Sequence, residues 1–261
     1  MTPDTSLSAE DHFTKTVLAG MAGHERSQQK LIGPSGLGTP CPRKLAYQLA
    51  QADDRQKPET QHRQTVGVGY HAWAEDKFIR YGEGLWLTER KVMVGKLVTT
   101  NGETEIWGTA DLFHVPSGTV VDIKVPGPGS IKEKKTHGPG QTYRVQGQLY
   151  GAGYENEGFA VNAVAVVAMP AAGEFRERLW FEEPYNPAVA QAALNRASRV
   201  LQAVEDDGLP ATLERLKTVD DFCRRCPFAT PAPGRPTCPT ANPTVTATTV
   251  AGLLKRPARS A

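Results

Sequence analysis

The stretch WGTADLFHVPSGTVVDIKV, Trp107 to Val125, sets the fold and poses the functional problem. Two apolar runs flank a Pro-Ser-Gly turn, the pattern of a β-hairpin. Asp111, Asp122 and Lys124 lie inside those runs, where a strand ordinarily carries apolar or small polar groups. Side chains alternate along a strand, so Asp122 and Lys124 share a face. A two-residue loop at Ser117-Gly118 would set Asp111 opposite Lys124. A four-residue loop from Val115 to Gly118 would set it opposite Asp122. Either length gathers the three charges on one face, whereas a simple three-residue loop does not.

Like charges opposed across strands destabilise a sheet, and buried carboxylates need counter-charge. Lys124 can offset one carboxylate, and a divalent cation could offset both. Hard cations such as Mg²⁺ take oxygen ligands and accept substrate phosphate alongside them. A metal there would polarise a phosphoryl oxygen and activate water, with Lys124 placed to stabilise phosphate charge. An ordinary exposed Asp–Lys face is the competing reading of these residues alone.

Outward from the hairpin, WLTERKVMVG reads as a strand and Asn101-Gly102 as a hairpin turn. A helix beginning near Gly69 places His71 and Glu75 on one face, with Glu75 read as a solvated helix residue. VPGPGSIKEKKTHGPGQ reads as a Gly/Pro-punctuated loop carrying Lys132, Lys134, Lys135 and His137. QTYRVQGQLYGAGY reads as a helix and VNAVAVVAMP as a buried strand, which makes the sheet mixed through a right-handed crossover. FRERLWF reads as an outer strand, and a long helix from Asn186 is expected to stop at Gly208. Residues 1–30 read as a polar helical extension, 31–238 as one domain and 239–261 as a disordered tail.

Thirty basic and 28 acidic residues leave a net charge of +2, so any basic surface must be local. No stretch reaches the roughly 20 apolar residues of a membrane span, and the polar start is unlike a signal peptide. A cytoplasmic location is the resulting expectation. Without a secretion signal, the four cysteines point to metal or cluster binding rather than disulfides.

Four short motifs then fall in order: Gly67-x3-His71, the Asp111 of GTAD, Asp122-x-Lys124, and Gln146-x3-Tyr150. Together they resemble the PD-(D/E)XK nuclease superfamily, in its RecB-like branch. The resemblance implies a restriction-endonuclease-like α/β core, with a mixed central sheet flanked by helices. It implies His71, Asp111, Asp122 and the Ile123 backbone carbonyl as ligands for Mg²⁺ or Mn²⁺. It implies Lys124 as the catalytic lysine, with Gln146 and Tyr150 positioning the substrate. An imidazole ligand is compatible with Mn²⁺.

Cys41 lies far from Cys223, Cys226 and Cys238. This one-plus-three distribution, followed by CPRKLAY, resembles the iron–sulfur exonucleases of that branch, of CRISPR-associated, AddB and phage types. It implies a [4Fe–4S] cluster joining the N- and C-terminal segments, with structural Zn²⁺ as the alternative. The eleven residues between Cys226 and Cys238 exceed the spacing usual there.

The expected activity is metal-dependent hydrolysis of DNA, with single-stranded DNA bearing a free end as substrate. Arg43, Lys44, Lys132, Lys134 and Lys135 are the candidate DNA contacts. The alternative is a non-catalytic DNA-end-binding subunit of a recombination or CRISPR-adaptation complex. An intracellular prokaryotic or phage-encoded protein, with partners in recombination, repair or adaptation, fits either.

Overall fold

The structure, a computed structural model, describes residues 8–22, 32–52 and 62–217, with positions 219, 223, 226–229 and 238 beyond them. Its elements are α1 (Ala9–Ala22), α2 (Pro34–Leu37), α3 (Pro42–Leu49), α4 (His62–Tyr81), β1 (Trp86–Thr99), β2 (Gly102–His114), β3 (Thr119–Lys124), α5 (Pro128–His137), α6 (Gln141–Asn156), β4 (Ala163–Ala168), β5 (Leu179–Pro184) and α7 (Pro187–Arg215). The expected tail at 239–261 lies outside the described residues.

The five strands form one sheet in the order β1-β2-β3-β4-β5. Only β3 and β4 run parallel; the other neighbours are antiparallel. TVVDIK and AVAVVA are almost wholly buried, as parallel strands covered on both faces require. One side of the sheet carries the larger core, where Val92, Phe113, Val120 and Val164 meet Leu149 and Tyr154 of α6 and Leu194 and Leu201 of α7. The other side carries a smaller core of Leu112, Val121, Ile123, Ala165 and Val167 against Ala74 of α4. The sheet is mixed and flanked by helices on both faces.

The central hairpin takes the four-residue loop. Leu112 pairs with Val121, Phe113 with Val120 and His114 with Thr119, which sets Asp111 opposite Asp122. Gly118, at φ 64°, closes the loop against the Ala160 carbonyl, where a β-carbon would lie 2.4 Å from that oxygen.

Three differences from the sequence reading have local causes. The Gly/Pro-rich segment after β3 contains α5, because Gly127 and Pro128 start a helix and the left-handed Gly138 ends it. FRERLWF is a 3₁₀ turn at Phe175–Glu177 followed by β5. Gly208, at φ 79°, breaks α7 as expected, but helix resumes beyond it.

The cysteine-ligated cluster region expected to join the termini is corrected. Cys41, Cys223, Cys226 and Cys238 are free thiols that, with Lys44, Tyr47 and Ala229, line a cavity of about 10 Å³. That is room for about one water. Among the described residues, the one group of three or more metal-ligating side chains with donor atoms within 4.8 Å contains no cysteine. The [4Fe–4S] cluster and the alternative structural Zn²⁺ are therefore both withdrawn as cofactors. What this corner does contain is hydrophobic packing, with the Tyr47 and Phe228 rings stacked 4.8 Å apart. Among the described residues, no helix is long and apolar enough to cross a membrane.

Candidate metal centre

The β2–β3 ladder pairs three residues on each strand and then gives way at the carboxylates. There the Ile123 backbone N–H donates to Asp111 Oδ2 at 2.6 Å, so a side chain takes the place of a ladder carbonyl. This bond fixes Asp111 beside β3 while its other oxygen meets α4. His71 Nδ1 lies 3.3 Å from Asp111 Oδ1 and 3.6 Å from Glu89 Oε1. His71, Glu89 and Asp111 each offer a ligand atom, all within 4.8 Å of one another. One imidazole nitrogen and two carboxylates make a donor set suited to Mn²⁺ or Mg²⁺.

Glu89 is the residue that the sequence reading missed. In β1, Thr88 pairs with Leu112 and Arg90 with Ala110, which sets Glu89 across from Asp111. Its φ is +42°, in the left-handed region that non-glycine residues rarely adopt. A strained backbone and a like-charge pair across strands both oppose folding. A bound cation would offset both at this position. Glu89→Gln should weaken Mn²⁺ binding roughly 10–100-fold, the range seen when groups around a metal are altered. Its metal-free melting temperature should move little, since relief of repulsion with Asp111 offsets the lost contact to His71. A calorimetric Mn²⁺ titration and a melting curve check the pair of outcomes.

Asp122 is fully buried and stands apart from that group, gripped by Lys124. The Lys124 ammonium lies 2.7 Å from Oδ1 and 2.6 Å from Oδ2, and 3.4 Å from the Ile123 carbonyl. So His71, Asp111 and Glu89 lie together, while Asp122 and the Ile123 carbonyl are held on the lysine. Gln146 Nε2 donates to the Tyr150 hydroxyl at 3.3 Å, both residues buried on α6. Gln146 Oε1 is buried with no hydrogen-bond partner among the described residues.

The charges explain one another. Burial pushes Asp122 up to about 6, against the opposing pull of Lys124 and with the help of Asp111. Burial alone would depress His71, but its bonds to Asp111 and Glu89 reverse this and raise it to about 9. Burial would raise Asp111, yet His71, Lys124 and the Ile123 N–H hold it below the usual carboxylate range. Lys124 is raised despite burial, by Asp122 and then Asp111.

For Asp122 and His71 the folded protein thus holds protons more tightly than the ordinary values of 3.8 and 6.5. Their contribution to stability falls as pH rises, across about 4–6 for Asp122 and about 6.5–9 for His71. A cation ligated by His71 must displace its proton, so its affinity should rise by up to roughly tenfold per pH unit below about 9. The Mg²⁺-induced rise in melting temperature should accordingly be larger at about pH 8.5 than at about pH 6. An equal or smaller rise at the higher pH contradicts His71 ligation.

The candidate nucleic-acid contacts separate by exposure. Lys132 and Lys135 are exposed on α5, and Lys134 is half-buried. Arg43 is buried, and Lys44 lines the thiol cavity, so neither lies on α5's basic surface.

No protein-family model matches the chain, and no curated protein matches it. Among solved structures, SSO0001 is similar over 83% of this chain and 94% of that one, at 15% identity and a TM-score of 0.49. The alkaline exonuclease LHK-Exo from Laribacter hongkongensis is similar over 73% of this chain and 94% of its own, at 15% identity and a TM-score of 0.45. LHK-Exo in complex with dAMP is similar over 73% and 92%, at 14% identity and a TM-score of 0.45. Likenesses this distant assign no chemistry; the functional reading rests on the centre formed by His71, Glu89, Asp111, Asp122 and Lys124.

Proposed function

We propose that the protein is a metal-dependent deoxyribonuclease that hydrolyses phosphodiester bonds at free ends of single-stranded DNA. The observation that carries this reading is the convergence of His71, Glu89 and Asp111 beside a lysine already charge-paired to a buried carboxylate. His71, Glu89 and Asp111 would hold Mg²⁺ or Mn²⁺, with Asp122 and the Ile123 carbonyl adjoining. When bound, the ion supplies Lewis acidity toward the phosphoryl oxygen and lowers the pKa of water.

The chain's own groups do the rest. Asp111, locked by the Ile123 N–H, keeps its second oxygen aimed at His71. Lys124 holds its ammonium at the end of β3, where it can turn from Asp122 toward the charge that develops on phosphate. Gln146 and Tyr150 would position the substrate, the Gln146 amide being steadied by the Tyr150 hydroxyl. Lys132 and Lys135 would attract the phosphate backbone.

The test is an end-labelled single strand incubated with the protein in Mn²⁺ or in EDTA. Progressive release of nucleotides in Mn²⁺ alone supports the reading. Binding without cleavage in either condition contradicts it.

A further inference from the structure

Tyr143, on the first turn of α6, stands between two lysines. Its ring centroid is 5.1 Å from Lys124 Nζ and 4.5 Å from Lys134 Nζ. Two ammonium groups repel, and nothing in a basic helix requires one of its lysines to fold inward over a ring. Lys134 is nevertheless fixed there, donating to the Pro139 carbonyl at 3.0 Å. No carboxylate forms an ion pair with it among the described residues; Glu133 and Asp122 attract its charge from further off, and two N–H donors remain. Lys132 and Lys135, on the same helix, are exposed and differ from it in this respect.

Tyr143 and Pro139 also line a cleft of about 860 Å³ between α6 and the β4–β5 end of the sheet. Its floor is apolar, from Val164, Val166 and Phe181, and its rim is polar, from the Arg144–Glu183 ion pair. Val166 is the parallel-strand neighbour of Asp122, which sets the floor one strand away from that carboxylate. That volume is ample for one nucleoside. An apolar floor meets the faces of a base, and the two ammonium groups, which face the Tyr143 ring rather than line the cleft, would meet phosphates beside it.

We infer that Lys134 and the Tyr143 ring form a second phosphate subsite one nucleotide from the reacting bond, with the cleft receiving the intervening nucleoside. This rests on the nuclease reading and adds to it a register: Lys124 serves the scissile phosphate, and Lys134 serves its neighbour. Tyr143 is a positioning residue that sets the spacing of the two ammonium groups.

The experiment compares wild type, Lys134→Ala, Lys134→Arg, Tyr143→Leu and Tyr143→Phe in Mn²⁺. Substrates are single strands carrying one uncharged methylphosphonate, placed in turn on either side of the scissile phosphate. In wild type, one of the two placements should raise KM about tenfold, the scale of one charge-assisted contact. Lys134→Ala should show that higher KM on the natural strand, with kcat little changed, and no further loss on the modified one. Its log KM should depend less steeply on log salt, by roughly 0.7. Lys134→Arg and Tyr143→Phe should restore discrimination, whereas Tyr143→Leu should lose it. If wild type cleaves but both placements affect it and Lys134→Ala equally, the subsite is overturned and the nuclease reading stands. If wild type cleaves no strand, both fall together.

Discussion

Lys124→Ala should reduce Mn²⁺-dependent cleavage by roughly 10²–10³-fold, the scale of losing one preorganised donor to developing charge. The loss should fall on kcat, because the contact to phosphate strengthens in the transition state rather than on binding. The same substitution has a structural consequence. Asp122 is fully buried, and Lys124 is its direct ionic partner at 2.6–2.7 Å. Removing one partner of a buried pair costs about 3–5 kcal/mol when the other stays charged. Here Asp122 is already raised to about 6, so the variant should take up a proton instead. The metal-free variant should therefore be less stable than wild type above about pH 6 and close to it in acid. Melting curves across that range, together with single-turnover rates, separate the chemical role of the lysine from its structural one.

Asp111→Asn should weaken Mn²⁺ binding at least roughly 100-fold, since it removes a charge from a three-ligand group while keeping its shape. The amide oxygen can still accept from the Ile123 N–H, so the splayed β2–β3 junction should persist. What cannot persist is the ionic contact to His71, which helps hold that imidazole up to about 9. The His71 pKa should fall in the variant, a shift that NMR titration of the ring protons reads directly. Asp111 is itself held low, so its ionised form stabilises the metal-free fold above about pH 4, and that contribution disappears in the variant. Wild-type metal affinity in Asp111→Asn would remove Asp111 from the centre.

Most of this centre was legible in the chain because strand alternation and turn length obey strict geometry. Asp122 and Lys124 had to share a face, and an even loop had to bring Asp111 to it. The choice between loop lengths was settled outside the hairpin. The Asn162 backbone N–H donates to the Gly118 carbonyl at 2.8 Å, and the Asn162 side-chain amide donates to the Ser117 carbonyl at 2.9 Å, tying the turn to the start of β4. Glu89 carried no such signal. Its role depends on the β1–β2 register and on a backbone torsion, neither of which a residue pattern encodes. Glu75, the acidic neighbour of His71 on its own helix, is instead absent from the ligand group.

The α5 segment shows the opposite failure. Gly127-Pro128 at its start and Lys134, Lys135, His137 and Gly138 at its end are helix boundary signals, yet the density of glycine and proline suggested a loop. That helix is what turns Lys134 back over Tyr143. The cysteines failed for another reason. Spacing indicates which thiols can share a neighbourhood, and these four do line one cavity. Among the described residues it does not bring three sulfurs within ligating distance of each other.

The central claim is that His71, Glu89 and Asp111 bind one divalent cation at the opened end of the β2–β3 ladder. Anomalous scattering from a Mn²⁺-soaked crystal tests it most directly. The predicted result is a single strong peak about 2.0–2.3 Å from His71 Nδ1, a Glu89 oxygen and Asp111 Oδ1, with Lys124 drawn off Asp122 or sharing it. A fully loaded crystal whose manganese lies elsewhere, with the Lys124–Asp122 pair and the His71–Asp111 contact unchanged, would contradict it.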